Sequence, residues 1–186
     1  MSRATPRLVA FLRAINVGGH VVTMDRLRSV FVAQGLKDAE TFIASGNVVF
    51  SGRPDAAAGL ARRLEKALAA ALGYEVATFI RTGAEVAAIA GYEAFPAKLI
   101  TRAKSHCVGF VAEPLTAGQR RALLALRTED DDFHVAGREV WWLSRVGQGR
   151  SKFNNTVFER LGTRATWRGI NTVRRLADKY GFAAAT

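Results

Sequence analysis

The chain has 186 residues with 27 Lys+Arg against 16 Asp+Glu, a formal net charge of +11, and is 49% hydrophobic and 23% charged. That describes one or two small globular domains and excludes bulk disorder. No apolar run reaches the ~18 residues of a bilayer span. One cysteine, Cys107, excludes an intrachain disulfide and a cysteine-built metal site. The first ten residues carry arginines without the apolar stretch of a signal peptide, so the reading is a cytoplasmic protein with no membrane partner.

Leu8-Val9-Ala10-Phe11-Leu12 reads as a strand, followed by a loop with Asn16, Gly18 and Gly19. Thr23 caps a helix from Met24 to about Gln34, and Gly35 stops it. Thr41 to Ala44 and Val48 to Phe50 form a hairpin around Ser45-Gly46-Asn47. Asp55 opens a helix running to Leu72 with Leu60, Leu64 and Leu68 on one face, and Gly73 ends it. Val76 to Arg81 is the next strand. The order is βαββαβ, a ferredoxin-like unit with sheet order 4-1-3-2.

The second half starts over. Gly83 to Ala90 is a short helix, and Pro96 and Lys98 to Lys104 make a connection. Cys107 to Val111 is a strand and Pro114 to Arg127 holds a helix. Glu129 to Asp132 reads as a solvent-facing turn. Phe133 to Val135 and Glu139 to Leu143 form a hairpin at Gly137. Helices follow from about Lys152 to Leu161 and from about Gly169 to Tyr180. This βαββα order predicts an α+β chain of two ferredoxin-like (α-β plait) subdomains in tandem, with mostly antiparallel sheets. Residues 1–82 form the first and residues 83–186 the second, which carries the C-terminal basic helices.

Several stretches also resemble a known bacterial family. Phe11-Leu12-Arg13-Ala14-Ile15-Asn16-Val17-Gly18-Gly19 is similar to the N-terminal signature of domain-of-unknown-function family 1697, which reads leucine-arginine-glycine-isoleucine-asparagine-valine-glycine-glycine. Ser45-Gly46-Asn47-Val48-Val49-Phe50 resembles its second signature. Gly149-Arg150-Ser151-Lys152, and Thr166-Trp167-Arg168 through Thr172-Val173, resemble its C-terminal ones. The resemblance implies an α+β fold of two related halves and no established activity. The chain departs from the pattern at Ala14, where glycine is usual, and at His20-Val21-Val22, where lysines are common. It departs again at Arg168-Gly169-Ile170, where arginine-asparagine-tryptophan is usual.

Two places carry candidate chemistry. In the 4-1-3-2 order, the end of the first strand lies beside the start of the third. Arg13, Asn16, Gly18, Gly19, Ser45, Gly46 and Asn47 therefore meet at one sheet edge. Glycine-rich backbone and the start of the following helix favour a phosphate or carboxylate there. Turn formation alone also accounts for these residue types. Neither a Walker loop nor a dinucleotide fingerprint is present.

The second place is C-terminal. Residues 142–186 hold nine basic and two acidic residues. Helical periodicity puts Val173, Leu176, Ala177 and Tyr180 inward, and Arg174, Arg175 and Lys179 outward. With Lys152 and Arg168 they suit phosphates, nucleic acid above all, though a solvated helix has the same pattern. Of the adjacent Trp141 and Trp142, one is expected in the core and the other half-exposed, beside arginines, where it could stack a base.

Catalytic sets are absent. Cys107 and its strand neighbour His106 point apart, and His20, His106 and His134 lack metal spacing. No cofactor or metal is expected, and whether the chain is an enzyme stays open. Nucleic-acid binding through the basic C-terminal face leads. The alternative is binding or turnover of a small phosphorylated or carboxylated ligand at loops 13–19 and 45–47. Protein interaction through sheet edges is a third possibility.

Overall fold

The computed structural model describes residues 6–16, 19, 21–44 and 46–185. Gly18, His20 and Ser45 of the sequence reading lie outside them. The chain is α+β and forms two compact units. One comprises Met1–Ile89 with Leu176–Thr186, the other Ala90–Arg175.

The first unit runs β1 (Arg7–Leu12), α1 (Met24–Ala33), β2 (Glu40–Thr41), β3 (Asn47–Ser51), α2 (Ala57–Leu72), β4 (Thr78–Thr82) and α3 (Gly83–Gly91). Its sheet order is β2-β3-β1-β4 with antiparallel neighbours, the order read from the sequence. Thr23 caps α1 by accepting from Arg26 N, and Gly73 ends α2 at φ 81°. Leu27, Val30 and Phe31 of α1, and Leu60, Leu64 and Leu68 of α2, join Leu8, Ala10, Leu12, Val48, Phe50 and Ile80 of the sheet in one core. Strand β2 is shorter than expected, and Ile43 just beyond it adopts φ 51°, a left-handed conformation no strand accommodates.

The second unit runs α4 (Ala97–Ile100), β5 (Ser105–Phe110), α5 (Ala117–Leu124), β6 (Asp131–Ala136), β7 (Glu139–Ser144), α6 (Asn155–Glu159), β8 (Thr166–Gly169) and then α7 (Ile170–Tyr180). The last turns of α7 belong to the first unit. The sheet order β6-β7-β5-β8 repeats that of the first unit. The second half is thus βαββαβ, one strand more than the sequence suggested. Strand β8 pairs with β5, with Arg168 opposite Val108. The acidic run is also corrected. Asp131 and Asp132 open β6, and Asp131 is buried rather than solvent-facing, because Trp142 Nε1 and Ser151 Oγ both donate to its carboxylate. Cys107, Val111, Leu123, Phe133, Val140, Trp142, Phe153 and Phe158 form the core of this unit.

Trp141 and Trp142 point to opposite faces of β7, as adjacent strand residues must, but both are buried. Trp142 sits among Phe153 and Trp167, and Trp141 is stacked under Tyr92 at 4.5 Å. Both faces of β7 are covered, so the pair offers no open ring for a base. No described helix is long and apolar enough to cross a membrane.

Candidate functional site

The β1–β3 pairing sets the first candidate edge. Phe11 lies opposite Asn47, and Leu12 N donates to Gly46 O at 2.8 Å. Asn16 ties the two loops together. Its Nδ2 donates to Ala44 O at 3.0 Å, and its Oδ1 accepts from Val22 N at 2.7 Å. Asn47 is fully buried and its Nδ2 donates to Phe42 O at 3.1 Å, closing the hairpin from inside. Gly46 is required sterically, since a Cβ there would lie 2.9 Å from Ile15 Cβ. Topology therefore brings Arg13, Asn16, Gly46 and Asn47 together. The asparagine side chains are spent on holding the loops.

Among the described residues, the non-glycine residues with positive φ are Ala14 (62°), Asn16 (55°) and Ile43 (51°), all at this edge. Such strain gathers where a loop must present a fixed shape. Asparagine tolerates it, whereas alanine and isoleucine do not. Ala14→Gly is expected to stabilise the protein by about 1 kcal/mol, because glycine meets no Cβ penalty there. Urea unfolding of the two proteins side by side checks this; a loss of stability would mean that Ala14 is not strained.

A cleft of about 420 Å³ opens beside this edge, lined by Gly19, Thr23, Arg26, Tyr74 and neighbouring apolar residues. It lies at the N-terminal end of α1, where helix N–H groups and the positive end of the dipole favour anions. Arg26 is held across the cleft, its guanidinium donating to Ala71 O at 3.1 Å. Burial pushes the Tyr74 phenol up from its ordinary range. Arg13 does not line this cleft. Sequence reasoning missed Arg26 and Tyr74. Arg26 stands three residues after the cap, which is the one local hint that it returns to the helix start; Tyr74 comes from a turn far along the chain.

On α7, Val173 and Leu176 are fully buried, while Arg174, Arg175 and Lys179 are exposed, as the periodicity requires. Lys152 is exposed too. Arg174 Nε donates to Ala90 O at 3.1 Å, and the Lys179 ammonium lies over the Phe42 and Tyr180 rings at 5.6 and 5.1 Å. Arg168 does not share this face. It is only 8% exposed and donates to Thr166 Oγ1 and Trp167 O, both at 2.8 Å. Burial lowers its pKa to about 10. The reason is β8: the segment before α7 is a strand, so Arg168 projects onto the sheet.

Cys107 is buried, which raises its pKa to about 11, and Gln148 Nε2 lies 2.7 Å from its sulfur. A thiol so held is a poor nucleophile. Burial, then Arg174, lowers the pKa of His106; burial, then Arg120 and Arg127, lowers that of His134. Both imidazoles thus favour the neutral form, and His134 Nε2 meets Tyr92 Oη at 2.9 Å. Among the described residues no three His, Cys, Asp or Glu side chains gather closely enough to hold a metal ion.

Comparisons with known proteins bear on family and fold. The family model described as "Protein of unknown function (DUF1697)" matches residues 6–141. A conserved bacterial protein of solved structure from Streptococcus pneumoniae is similar, with 22% identity and a TM-score of 0.70, over 96% of this chain and 99% of that one. At that identity the likeness speaks to the fold alone. No curated protein matches.

Proposed function

The chain belongs to the DUF1697 family, and from that premise we propose that it binds a small phosphorylated or carboxylated ligand in the cleft at the start of α1. The observation that carries this reading is the 420 Å³ cleft, which joins the Gly19 loop, the α1 N-terminus and the Arg26 guanidinium. Its size is within the ~300–1,000 Å³ of small-molecule sites. Gly19 adopts φ 87°, a glycine conformation that lets backbone approach a ligand closely. Arg26 supplies the fixed positive charge and Thr23 a hydroxyl. Asn16 and Asn47 support the loops from behind. Binding is the whole of the claim, and no reaction is assigned.

Titration with inorganic phosphate, followed by backbone amide NMR, tests it. Saturable shifts are expected at Gly19 and Thr23 to Arg26. Arg26→Glu should weaken binding at least about tenfold by removing a charge-assisted hydrogen bond and adding repulsion. Shifts that persist unchanged in Arg26→Glu would place the anion elsewhere and overturn the reading.

A second reading rests on charge. The net charge of +11 and the exposed Lys152, Arg174, Arg175 and Lys179 suit a polyanion such as nucleic acid. It requires affinity for labelled DNA or RNA that falls steeply with salt and weakens in Arg175→Glu. The burial of Arg168, and of both Trp141 and Trp142 where one was expected half-exposed, removes two of its expected contacts, which is why the cleft is preferred.

A further inference from the structure

Two segments of the second unit meet where β5 begins and β7 ends. One is the turn after α4, residues 101–104, and the other is residues 145–152 of the loop between β7 and α6. Lys104 N donates to Ser144 O at 2.8 Å, and a Cβ on Gly147 would lie 3.7 Å from Lys104 Cβ, so the segments touch. We propose that Arg102, Lys104, Arg150 and Lys152 on these segments form a docking surface for the phosphate backbone of duplex nucleic acid, without base preference. The surface is separate from the cleft of the first unit and shares only Lys152 with the basic residues set around α7.

The loop is held from inside, and that turns its cations outward. Ser151 Oγ donates to the buried carboxylate of Asp131 at 2.8 Å, and Phe153 is seated in the core. Arg150 and Lys152, on either side of Ser151, are exposed. Arg150 N and Ser151 N both donate to Gly147 O, at 3.1 and 3.0 Å. On the other segment, Arg102 N donates to Leu99 O at 3.2 Å and Ala103 N to Ile100 O at 3.1 Å, and Arg102 and Lys104 are exposed. Both backbones are therefore fixed before a partner arrives, so docking orders side chains only.

The four charges are uncommitted. Arg7, Arg53 and Arg127 pair with carboxylates, and Arg26, Arg63 and Arg174 donate to backbone carbonyls. The side chains of Arg102, Lys104, Arg150 and Lys152 make no hydrogen bond or ion pair with a described residue. Glu129 and Asp130 stand on the β6 side of this end of the sheet, where Arg145 meets them: its guanidinium donates to Glu129 O and its N to Asp130 O. Asp131 lies beneath the loop, with both carboxylate oxygens occupied by Trp142 and Ser151.

The surroundings select the partner. The remaining exposed positions of the two segments are Thr101, Gln148 and Gly149, so no aliphatic or aromatic side chain is offered there. A protein partner or a membrane needs an apolar anchor beside the charge. A single strand is gripped by rings that stack its bases. A duplex backbone needs only cations and polar donors, and contacts to it carry no sequence information.

Anisotropy of a short labelled DNA duplex, titrated with the full chain at rising salt, tests the proposal. Four phosphate contacts at ~0.9 each predict a slope of about −3.6 in log affinity against log salt. Arg150→Glu combined with Lys152→Glu should weaken binding at least about tenfold and bring the slope to about −1.8. Arg102→Glu combined with Lys104→Glu, on the other segment, should do the same and decides the matter if the loop variant does not fold. Arg174→Glu combined with Arg175→Glu should keep the wild-type slope. No binding at low salt, or wild-type affinity in both surface variants, would overturn the proposal. An equal or greater loss in the α7 variant would place the duplex on α7 and overturn it as well. So would tighter binding to the single strand, to anionic lipid vesicles or to polyglutamate. Inorganic phosphate reports on the cleft of the first unit, so the two readings fail independently.

Discussion

Asp131→Ala is expected to cost at least about 3 kcal/mol of stability, the loss of two hydrogen bonds to a buried carboxylate. Trp142 Nε1 and Ser151 Oγ each donate to Asp131 at 2.8 Å, and Phe153 N donates to Ser151 Oγ at 2.9 Å. This chain of bonds pins the loop between β7 and α6 onto the start of β6. It also seats Phe153, whose ring meets Phe133, Trp142 and Trp167. With alanine both donors lose their acceptor, and the loop can carry Phe153 out of the core. In a unit of this size the loss lowers Tm by roughly 12 °C or more. Asp131→Asn keeps an acceptor oxygen for one donor and should cost about half as much. Thermal unfolding followed by tryptophan fluorescence reads both variants, and an unchanged Tm in Asp131→Ala would show that the carboxylate does not hold the loop. The result also bears on Gly149-Arg150-Ser151-Lys152, one of the stretches that resembles the family. In this structure Ser151 is a structural clamp, so its hydroxyl is already committed.

The first unit was legible because each element carries its own local signal. Thr23 and Gly73 mark helix ends by chemistry that needs no tertiary context, and Leu60, Leu64 and Leu68 mark the buried face of α2. From the element order, topology alone then placed Asn16 beside the Gly46 loop. Strand β8 was hidden because its most buried positions are Thr166 and Arg168, so the burial alternation runs through polar residues. The acidic run misled for the same reason: a buried aspartate looks like a turn until its donors, Trp142 and Ser151, are known. The cleft was not legible. Arg26, Ala71 and Tyr74 are brought together by packing between elements, and no spacing along the chain encodes that. Charge was legible as a total but not as a surface. Arg168 counts toward the basic C-terminal segment, yet the strand it belongs to turns it inward.

Gly109→Val sets local preference against packing. Position 109 is the next-to-last residue of β5, paired with Val140 on one side and Trp167 on the other, where valine is the better strand former by up to about 1 kcal/mol. A Cβ at this position, however, would lie 2.8 Å from both Cε3 and Cζ3 of Trp167. The indole cannot swing away freely. It is boxed by Phe153 at 5.7 Å, Phe158 at 5.4 Å and Trp142 at 5.9 Å, all in edge-to-face contact. Overpacking of this kind costs about 1–3 kcal/mol, and valine adds two methyl groups beyond the first clash, so a net loss of about 3 kcal/mol is expected. Tryptophan fluorescence during urea unfolding reads the change. Combining Gly109→Val with Trp167→Leu should recover part of the loss, since the two residues contend for the same space. A stabilised Gly109→Val protein would mean that strand preference wins and that the Trp167 ring does not rest on β5. The glycine therefore does more than fill a strand position. By admitting the indole it lets β8 lie against β5, and β8 is what turns Arg168 inward and leaves Arg174 and Arg175 on the outer side of α7.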